Sequence, residues 1–385
     1  MQYRSFGKTT YCPSALGFGC MRLPVVGDDP ANIDYPSAER MIHYAISNGV
    51  NYLDTAWGYH RRMSEVFLGK ALQGGWRDKV AIATKMPMWL VESRDDCERL
   101  FEEQLERLKT DRVEFYLLHN LNREYWPKVH KYDVFEWAQR ELTRGRIQHF
   151  GFSFHDGFDC FKQIVDEYPW EFCQIQYNYV DIDNQAGRKG LHYAASKGLA
   201  VVVMEPLLGG ALAKPASPEI ERIFGGADQH RSAVEWALSW LWDQPEVSLV
   251  LSGMSSMQQV KENVEYAGRS GIGRFTEEER DTVRRVSEEY RNLIAVPCTM
   301  CGYCMPCEHG VDIPKVFALY NDALGFSRDE AQIERARQFY VQHLDQTRAT
   351  DCIECGACES KCPQQIAISR VLKEAHQELS HNCER

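Results

Sequence analysis

Of the 14 cysteines in this 385-residue chain, most fall into two tight groups near its C-terminal end. Cys298, Cys301, Cys304 and Cys307 lie in the string CTMCGYCMPC, and Cys352, Cys355, Cys358 and Cys362 in CIECGACESKCP. The second string has the C-x2-C-x2-C-x3-C-P spacing that holds an iron–sulfur cubane. Three thiolates on one tight loop each reach a different iron, and a fourth from further away completes the set. Disulfides are disfavoured, because cysteines two residues apart on a short loop pair poorly and nothing suggests export. Zinc is the serious rival, since C-x2-C pairs are its usual signature. Runs of four cysteines each two residues apart are unusual for zinc, so the spacing favours iron–sulfur. The remaining Cys12, Cys20, Cys97, Cys160, Cys173 and Cys383 are scattered and read as reduced packing residues of a cytoplasmic protein.

A second set of residues lies far upstream. The segment LDTAWGYH carries Asp54 and Tyr59, IATKMP carries Lys85, and YLLHN carries His119. Each follows or closes an apolar run. Singly, Tyr59 reads as a rim aromatic, Asp54 as a helix cap and His119 as a core histidine satisfied by backbone. Together they make a proton-transfer set. A free phenol ionises near pH 10, too high to release its proton readily at pH 7. A nearby ammonium favours the phenolate. Lys85 can supply that charge, with Asp54 holding it in place and protonated. Tyr59 then suits a general acid toward a carbonyl oxygen, and His119 a second hydrogen-bond donor to the same oxygen.

Such residues need a scaffold that brings successive strand ends together. Apolar runs predict strands at Ala15–Gly19, Val50–Asp54, Val80–Thr84, Arg112–Leu118, Ile147–Phe152, Phe172–Gln176, Ala200–Met204 and Val247–Ser252. Helical patterns fall between them, at Ser37–Asn48, Asp95–Lys109, Val134–Arg144, Gly187–Lys197 and Ser232–Asp243. Asn48-Gly49, Gly145 and Lys197-Gly198 are legible helix stops. Eight strands alternating with helices predict an α/β fold, a (β/α)8 TIM barrel, whose chemistry sits where the strands end. An open doubly wound sheet is the alternative, weakened by the lack of a G-x-G-x-x-G after the first strand. Residues 1–14 read as a short polar hairpin turning at Gly7-Lys8. A charged helix, Thr276–Asn292, follows the barrel. Helices at Pro314–Ala323, Arg328–Asp345 and Ser369–Leu379 surround the cysteine groups, so this module is mostly α-helical. The expected domains are 1–290 and 291–385.

Composition narrows the function classes. Hydrophobic content of 44% is ordinary for a globular protein. A net charge of −11 argues against nucleic acid and anionic membrane as partners. No apolar stretch follows a basic N-terminal segment, and no run of about twenty apolar residues exists. A cytoplasmic setting is therefore expected.

On its Asp54–Tyr59–Lys85–His119 tetrad, over roughly residues 1–290, the chain resembles the aldo-keto reductases. The resemblance implies NAD(P)H-linked carbonyl reduction or the reverse alcohol oxidation, acting on a small carbonyl or alcohol. Position by position, it implies that Ser153 in GFSFHD and Gln174 in CQIQYN hold the nicotinamide carboxamide. Pro206, Leu207, Gly209 and Gly210 match the loop along the pyrophosphate, and Gly19, Cys20 and Met21 a backbone contact. Ser255 and Gln259 match contacts to the adenosine ribose or its phosphate, ahead of a helix N-terminus, and Glu262 and Asn263 contacts to adenine. Trp57, Trp89 and Asn120 are candidate substrate contacts, with loop-on-loop packing the plain alternative. Several positions depart from the family pattern. Phe154 stands where asparagine is common, Met204 where an aromatic stacks on nicotinamide, and Gly253 and Gln259 where cations grip the 2′-phosphate. NADP and NAD both stay open, with flavin a minority alternative.

The paired cysteine groups resemble an α-helical two-cluster ferredoxin domain, in which the fourth cysteine of each group ligates the other cluster. That resemblance implies two [4Fe–4S] clusters, one on Cys298, Cys301, Cys304 and Cys362 and one on Cys352, Cys355, Cys358 and Cys307. In the first group Cys307 follows after two residues rather than three, which makes it the departure from pattern. A hydride carries two electrons and a cubane usually passes one. The module is thus expected to relay electrons to an external carrier, or to clamp or sense. The alternative from a different class is an iron–sulfur carrier or redox sensor whose barrel binds a nucleotide without turnover.

Overall fold

The computed structural model describes residues 1–214, 217–326, 330–344 and 347–380. Eight parallel strands close into a barrel in chain order: β1 (Leu16–Gly19), β2 (Tyr52–Asp54), β3 (Ala81–Pro87), β4 (Val113–Leu121), β5 (Ile147–Phe154), β6 (Phe172–Gln176), β7 (Ala200–Met204) and β8 (Val247–Gly253). β1 pairs with both β2 and β8, which removes the sheet edge. The strands are buried almost throughout, as expected when a parallel barrel is packed inside and covered outside. This is the (β/α)8 architecture that the alternation implied. Each expected strand is present, and β3 and β4 run on by three residues past the expected ends, to Pro87 and Leu121.

The helices start where capping chemistry lets them. Ser93 and Asp96 form a reciprocal capping box ahead of Arg94–Leu108. Asp34 caps Tyr35–Ser47 by accepting from the Ser37 N–H at 3.1 Å. Gly49, Gly145 and Gly198 all sit at positive φ just past helix ends, as their placement implied.

The N-terminal segment takes the expected hairpin path, with the Arg4 N–H donating to the Pro13 oxygen at 3.0 Å and the Ala15 N–H to the Gln2 oxygen at 2.8 Å. It has a single antiparallel bridge, Tyr3 to Ser14. Its turn is fixed by Phe6, which is fully buried among Tyr52, Phe115, Phe172 and Leu249. Gly7 sits at φ +56, and a Cβ there would lie 2.6 Å from the Ala200 nitrogen. The segment is therefore a short hairpin anchored by the burial of Phe6.

The chain forms two compact units that are not contiguous in sequence. One comprises Met1–Pro206 with Ala237–Arg274 and contains the whole barrel; the other comprises Leu207–Trp236 with Phe275–Arg385. The expected boundary near residue 290 falls within the helix Glu277–Leu293, all of which lies in the second unit. The second unit is helical, as anticipated. Ile313–Asn321, Glu330–His343 and Ile368–Ser380 enclose a core of Val316, Phe317, Tyr340, Leu372 and Leu379. Cys298, Cys304, Cys307, Cys352, Cys358 and Cys362 pack against that core while partly buried. The expected helix Arg328–Asp345 is realised as Glu330–His343, and its outer ends lie outside the described residues. Cys383 lies outside them too. Among the described residues, no helix is long and apolar enough to cross a membrane.

Candidate active site and cysteine loops

The ends of β2, β3 and β4 bring the tetrad together. The Lys85 Nζ lies 2.7 Å from Asp54 Oδ1, 2.7 Å from the Thr55 carbonyl oxygen and 3.5 Å from the Tyr59 hydroxyl. An ammonium has three N–H donors, and here three acceptors surround it. Lys85 is fully buried and Asp54 nearly so. Burial pulls the Lys85 ammonium below its ordinary range, and the paired Asp54 opposes that shift. Tyr59 is half-buried, and its ring meets the His119 ring edge-on with centroids 6.2 Å apart. Burial, then the nearby Lys85 and His155, hold the His119 imidazole well below its usual value, so it is neutral at pH 7 and keeps an N–H to donate.

Behind Lys85 lies a second buried network that the sequence did not single out. Glu65, fully buried, accepts from Thr84 Oγ1 at 2.6 Å, Gln104 Nε2 at 2.7 Å and Arg107 at 3.1 Å. Gln104 also donates to the Lys85 carbonyl oxygen at 3.0 Å and accepts from the Tyr116 hydroxyl at 2.7 Å. These residues come from four separate stretches of chain, so no local motif reports them. Trp57, a candidate substrate contact, is buried in this layer. Its ring lies under the guanidiniums of Arg107 at 3.9 Å and Arg62 at 4.6 Å. Trp89 lies nearer the tetrad, its ring 5.1 Å from that of His119.

The turn after Tyr59 is unusual. His60, Arg61 and Arg62 have φ of 51°, 49° and 76°. Left-handed backbone costs an L-residue about 1–2 kcal/mol, and no glycine relieves it here. A glycine would have announced such a turn in the sequence, and its absence is why the turn was not foreseen.

Ser153 and Gln174 sit side by side in register at the ends of β5 and β6. The Ser153 hydroxyl accepts from the Asn120 N–H at 2.9 Å, which leaves its own hydrogen to donate. The buried Gln174 Oε1 has no hydrogen-bond partner among the described residues. A donor beside an uncommitted acceptor suits a carboxamide, which presents one C=O and one NH2. Asn120 stands at φ +59, and its buried Oδ1 is likewise without a partner among the described residues. Phe154 is fully buried and packs on Phe161, with centroids 5.1 Å apart, so it is spent on the core. Met204 approaches Gln174, its sulfur 3.5 Å from Nε2.

The Cys20 N–H donates to the Asp54 carbonyl oxygen at 2.8 Å, and the Cys20 carbonyl accepts from Ser64 at 3.0 Å. Burial drives the Cys20 thiol far above the usual range, so it is no nucleophile. Gly19 and Met21 flank it on the same exit from β1. Past β8, Ser256 caps the helix Met257–Gly268, and the Ser255 N–H donates to Gln259 Oε1 at 2.8 Å. Asn263 is buried and donates to the Ser252 hydroxyl at 3.0 Å, while Glu262 is solvent-facing and pairs with Gln258 at 2.7 Å. Arg22, not singled out from the sequence, lies against Gly253 and reaches Glu205 at 3.5 Å. Pro206 ends the first unit and Leu207 begins the second. Gly209 and Gly210 both take positive φ, and a Cβ on Gly209 would lie 2.5 Å from the Thr299 oxygen within that second unit.

The two cysteine loops share one backbone plan. The Met300 N–H donates to Cys298 Sγ at 3.4 Å, and the Glu354 N–H to Cys352 Sγ at 3.4 Å. Met300 and Glu354 have φ of 54° and 59°, and Gly302 and Gly356 of 76° and 71°. These pairs occupy equal offsets from Cys298 and Cys352. Beyond Cys304 and Cys358 the spacings differ by one residue, yet the match resumes. The Gly310 N–H bonds the Cys307 oxygen at 3.0 Å, as the Gln365 N–H bonds the Cys362 oxygen at 3.0 Å, and both donors have positive φ. Cys298, Cys301, Cys304 and Cys362 line one mostly apolar pocket with Pro314, Phe317 and Ile366. Cys358 has Cys352 and Cys307 among its electrostatic neighbours. Cys355 is exposed and holds the offset that Cys301 holds in the other loop. Among the described residues, no three Cys, His, Asp or Glu side chains converge as a single metal ion requires.

Comparison with known proteins gives concordant results. A family model described as the aldo/keto reductase family matches residues 15–288, and one for a 4Fe-4S dicluster domain matches residues 297–367. An L-galactose dehydrogenase of Arabidopsis thaliana is 27% identical over 312 residues, covering 76% of this chain and 96% of its own. An uncharacterised oxidoreductase of Bacillus subtilis is 26% identical over 305 residues, covering 69% and 90%. The solved holo form of an aldo-keto reductase from Bacillus halodurans is similar with a TM-score of 0.61 and 26% identity, over 74% of this chain and 96% of that one.

Proposed function

The chain belongs to the aldo/keto reductase family, and from that premise we propose an NAD(P)H-linked oxidoreductase that interconverts a small carbonyl compound and its alcohol, with Tyr59 as general acid and base. The observation that carries this reading is the buried Lys85 ammonium, 2.7 Å from Asp54 and 3.5 Å from the Tyr59 hydroxyl.

A nicotinamide cofactor, NADP or NAD, supplies the hydride when bound. Ser153 and Gln174 fit its carboxamide, one donating and one accepting. In reduction, the Tyr59 hydroxyl gives its proton to the carbonyl oxygen, and Lys85 stabilises the phenolate left behind. Asp54 keeps Lys85 charged and in place. Neutral His119 donates an N–H to the same oxygen as negative charge gathers there, in a site where burial strengthens that bond. In oxidation, the phenolate takes the alcohol proton back. Trp89 and Asn120 adjoin this position, whereas Trp57 supports it from behind.

The cysteine loops fit two [4Fe–4S] clusters in the crossed arrangement. Cys298, Cys301, Cys304 and Cys362 would hold one, and Cys352, Cys355, Cys358 and Cys307 the other. Cys307 qualifies because its turn repeats that of Cys362. Such clusters supply one-electron transfer when present, which points to a relay toward an external carrier.

The deciding experiment is turnover by Tyr59→Phe in anaerobically purified protein. Loss of about a hundredfold or more in kcat, with cofactor affinity retained, is the expected result. Unchanged turnover would remove Tyr59 from its role.

A further inference from the structure

The left-handed turn that follows Tyr59 is tied at each of its three residues. His60 is nearly buried, and its ring bridges two points on the loop after β1. The Leu23 N–H donates to His60 Nε2 at 3.1 Å, and His60 Nδ1–H donates to the Pro30 oxygen at 2.7 Å. The lobe that runs on from these points is itself closed by the Val26 N–H to the Asn32 oxygen at 2.8 Å and the Asp34 N–H to the Pro24 oxygen at 2.8 Å. Arg61 reaches Asp29 of the same lobe at 3.2 Å. Arg62 reaches Glu103 at 3.1 Å and lies over Trp57. Of these ties only that of His60 is sheltered from water, and only it uses both nitrogens of a rigid ring. Solvent-exposed ion pairs such as Arg61–Asp29 hold little by comparison.

Without glycine, the backbone has no reason of its own to stay left-handed. Something must hold it, and the conformation sets where the preceding residue points. We infer that His60 is a positioning residue: by clamping the turn to the loop after β1, it fixes the Tyr59 hydroxyl beside Lys85. The inference rests on the reading of Tyr59 as the general acid and adds to it the device that aims the acid. The bridge needs one tautomer, with the proton on Nδ1, and a neutral ring. Burial, which lowers the affinity of His60 for a second proton, keeps it in that state.

The test uses full-length, cluster-loaded protein, with NADPH and phenylglyoxal as the carbonyl probe. His60→Ala should lower kcat about tenfold or more while KM stays within about threefold, because the lost interaction acts on the transition state rather than on binding. Amide exchange at Leu23 should speed up in parallel. His60→Gln, which offers one acceptor and one donor, should recover both readouts in large part. Wild-type kcat in His60→Ala with Leu23 protection gone would overturn the inference. So would a kcat in His60→Gln as low as in His60→Ala with Leu23 still protected. If His60→Ala does not fold, His60→Gln and His60→Asn decide, since kcat must follow the order of Leu23 protection and any other order refutes the clamp. Tyr59→Phe separates the two ideas. Full turnover there sinks the acid assignment and the positioning role with it, whereas an inactive Tyr59→Phe beside a fully active, unclamped His60→Ala sinks the positioning role alone.

Discussion

The barrel mouth and the paired cysteine loops hold difficult groups in opposite ways. At the mouth, buried charge is answered by protein: Lys85 has Asp54, Thr55 and Tyr59 around it, and Glu65 has Thr84, Gln104 and Arg107. A buried charge costs several kcal/mol unless so answered, and the network makes the site rigid before anything binds. In the loops, the thiols have one another as electrostatic neighbours, Cys304 facing Cys301, Cys298 and Cys362. Their geometry comes from backbone, through residues in left-handed conformation at matched offsets. Thiols gathered on such loops gain their stability when they ionise onto a metal cluster. One region is organised in advance by the fold, and the other is organised for a ligand.

That contrast breaks most sharply at Lys85. Lys85→Met leaves Asp54 as an unpaired buried carboxylate, so stability should fall by about 3–5 kcal/mol, and turnover should drop by about two orders of magnitude or more. Adding Asp54→Asn should restore much of the stability and none of the turnover. Urea titration checks the first and steady-state assay the second. If the single variant were as stable as the parent, the mouth would not be the pre-paid site described above.

The cysteine loops give the next largest effect. Cys307→Ser should remove roughly half the iron, the share of one of two equal clusters, and leave the barrel's tetrad intact. Anaerobic iron and sulfide assays decide this. Iron equal to the parent's would show that Cys307 is not a ligand, despite the turn it shares with Cys362. A smaller loss is expected at Glu65. Glu65→Gln leaves Arg107 without its buried carboxylate and should cost about 1–3 kcal/mol, with a modest fall in turnover through the Gln104 bond to the Lys85 carbonyl. A stability change near zero would mean that Glu103, 3.0 Å away, or solvent answers Arg107 in place of Glu65.

How legible each region was follows from how it is held. The strands could be placed because apolar runs are local, and the tetrad because a barrel puts its chemistry at strand ends. Asp54, Lys85 and His119 lie on strands or at their ends, and Tyr59 on a fixed-length loop. The cysteine spacing was legible for the same reason, since cluster ligands must share a short loop. The Glu65 network was not, because Glu65, Thr84, Gln104 and Arg107 meet only after folding. That Arg107 covers Trp57, a candidate substrate contact, was not legible either, because nothing local brings the two together. The turn at His60 was hidden because tertiary contacts, rather than glycine, impose its conformation. The hairpin of residues 1–14 was legible from its turn at Gly7-Lys8, whereas the burial of Phe6 that anchors it was not.

The smallest expected effect concerns acid, and it too separates the regions. Burial lowers His155 to about 4, although its Gln185 hydrogen bond opposes the shift. Burial likewise lowers His119 and His60. An unfolded histidine ionises near pH 6.5. Between about pH 6.5 and 4 the unfolded chain therefore binds more protons at these positions than the folded barrel does. Stability rises with pH wherever the unfolded state is the more protonated. The barrel's histidine-linked stability is thus complete above about pH 6.5 and is lost as pH falls toward 4. His155→Gln should flatten that slope without altering stability at pH 8 by more than about 1 kcal/mol, as read from urea midpoints across the range. An unchanged slope in this variant would place the acid sensitivity outside His155, with His119, His60 and the thiolates of the cysteine loops, for which protons compete with iron, as the remaining sources.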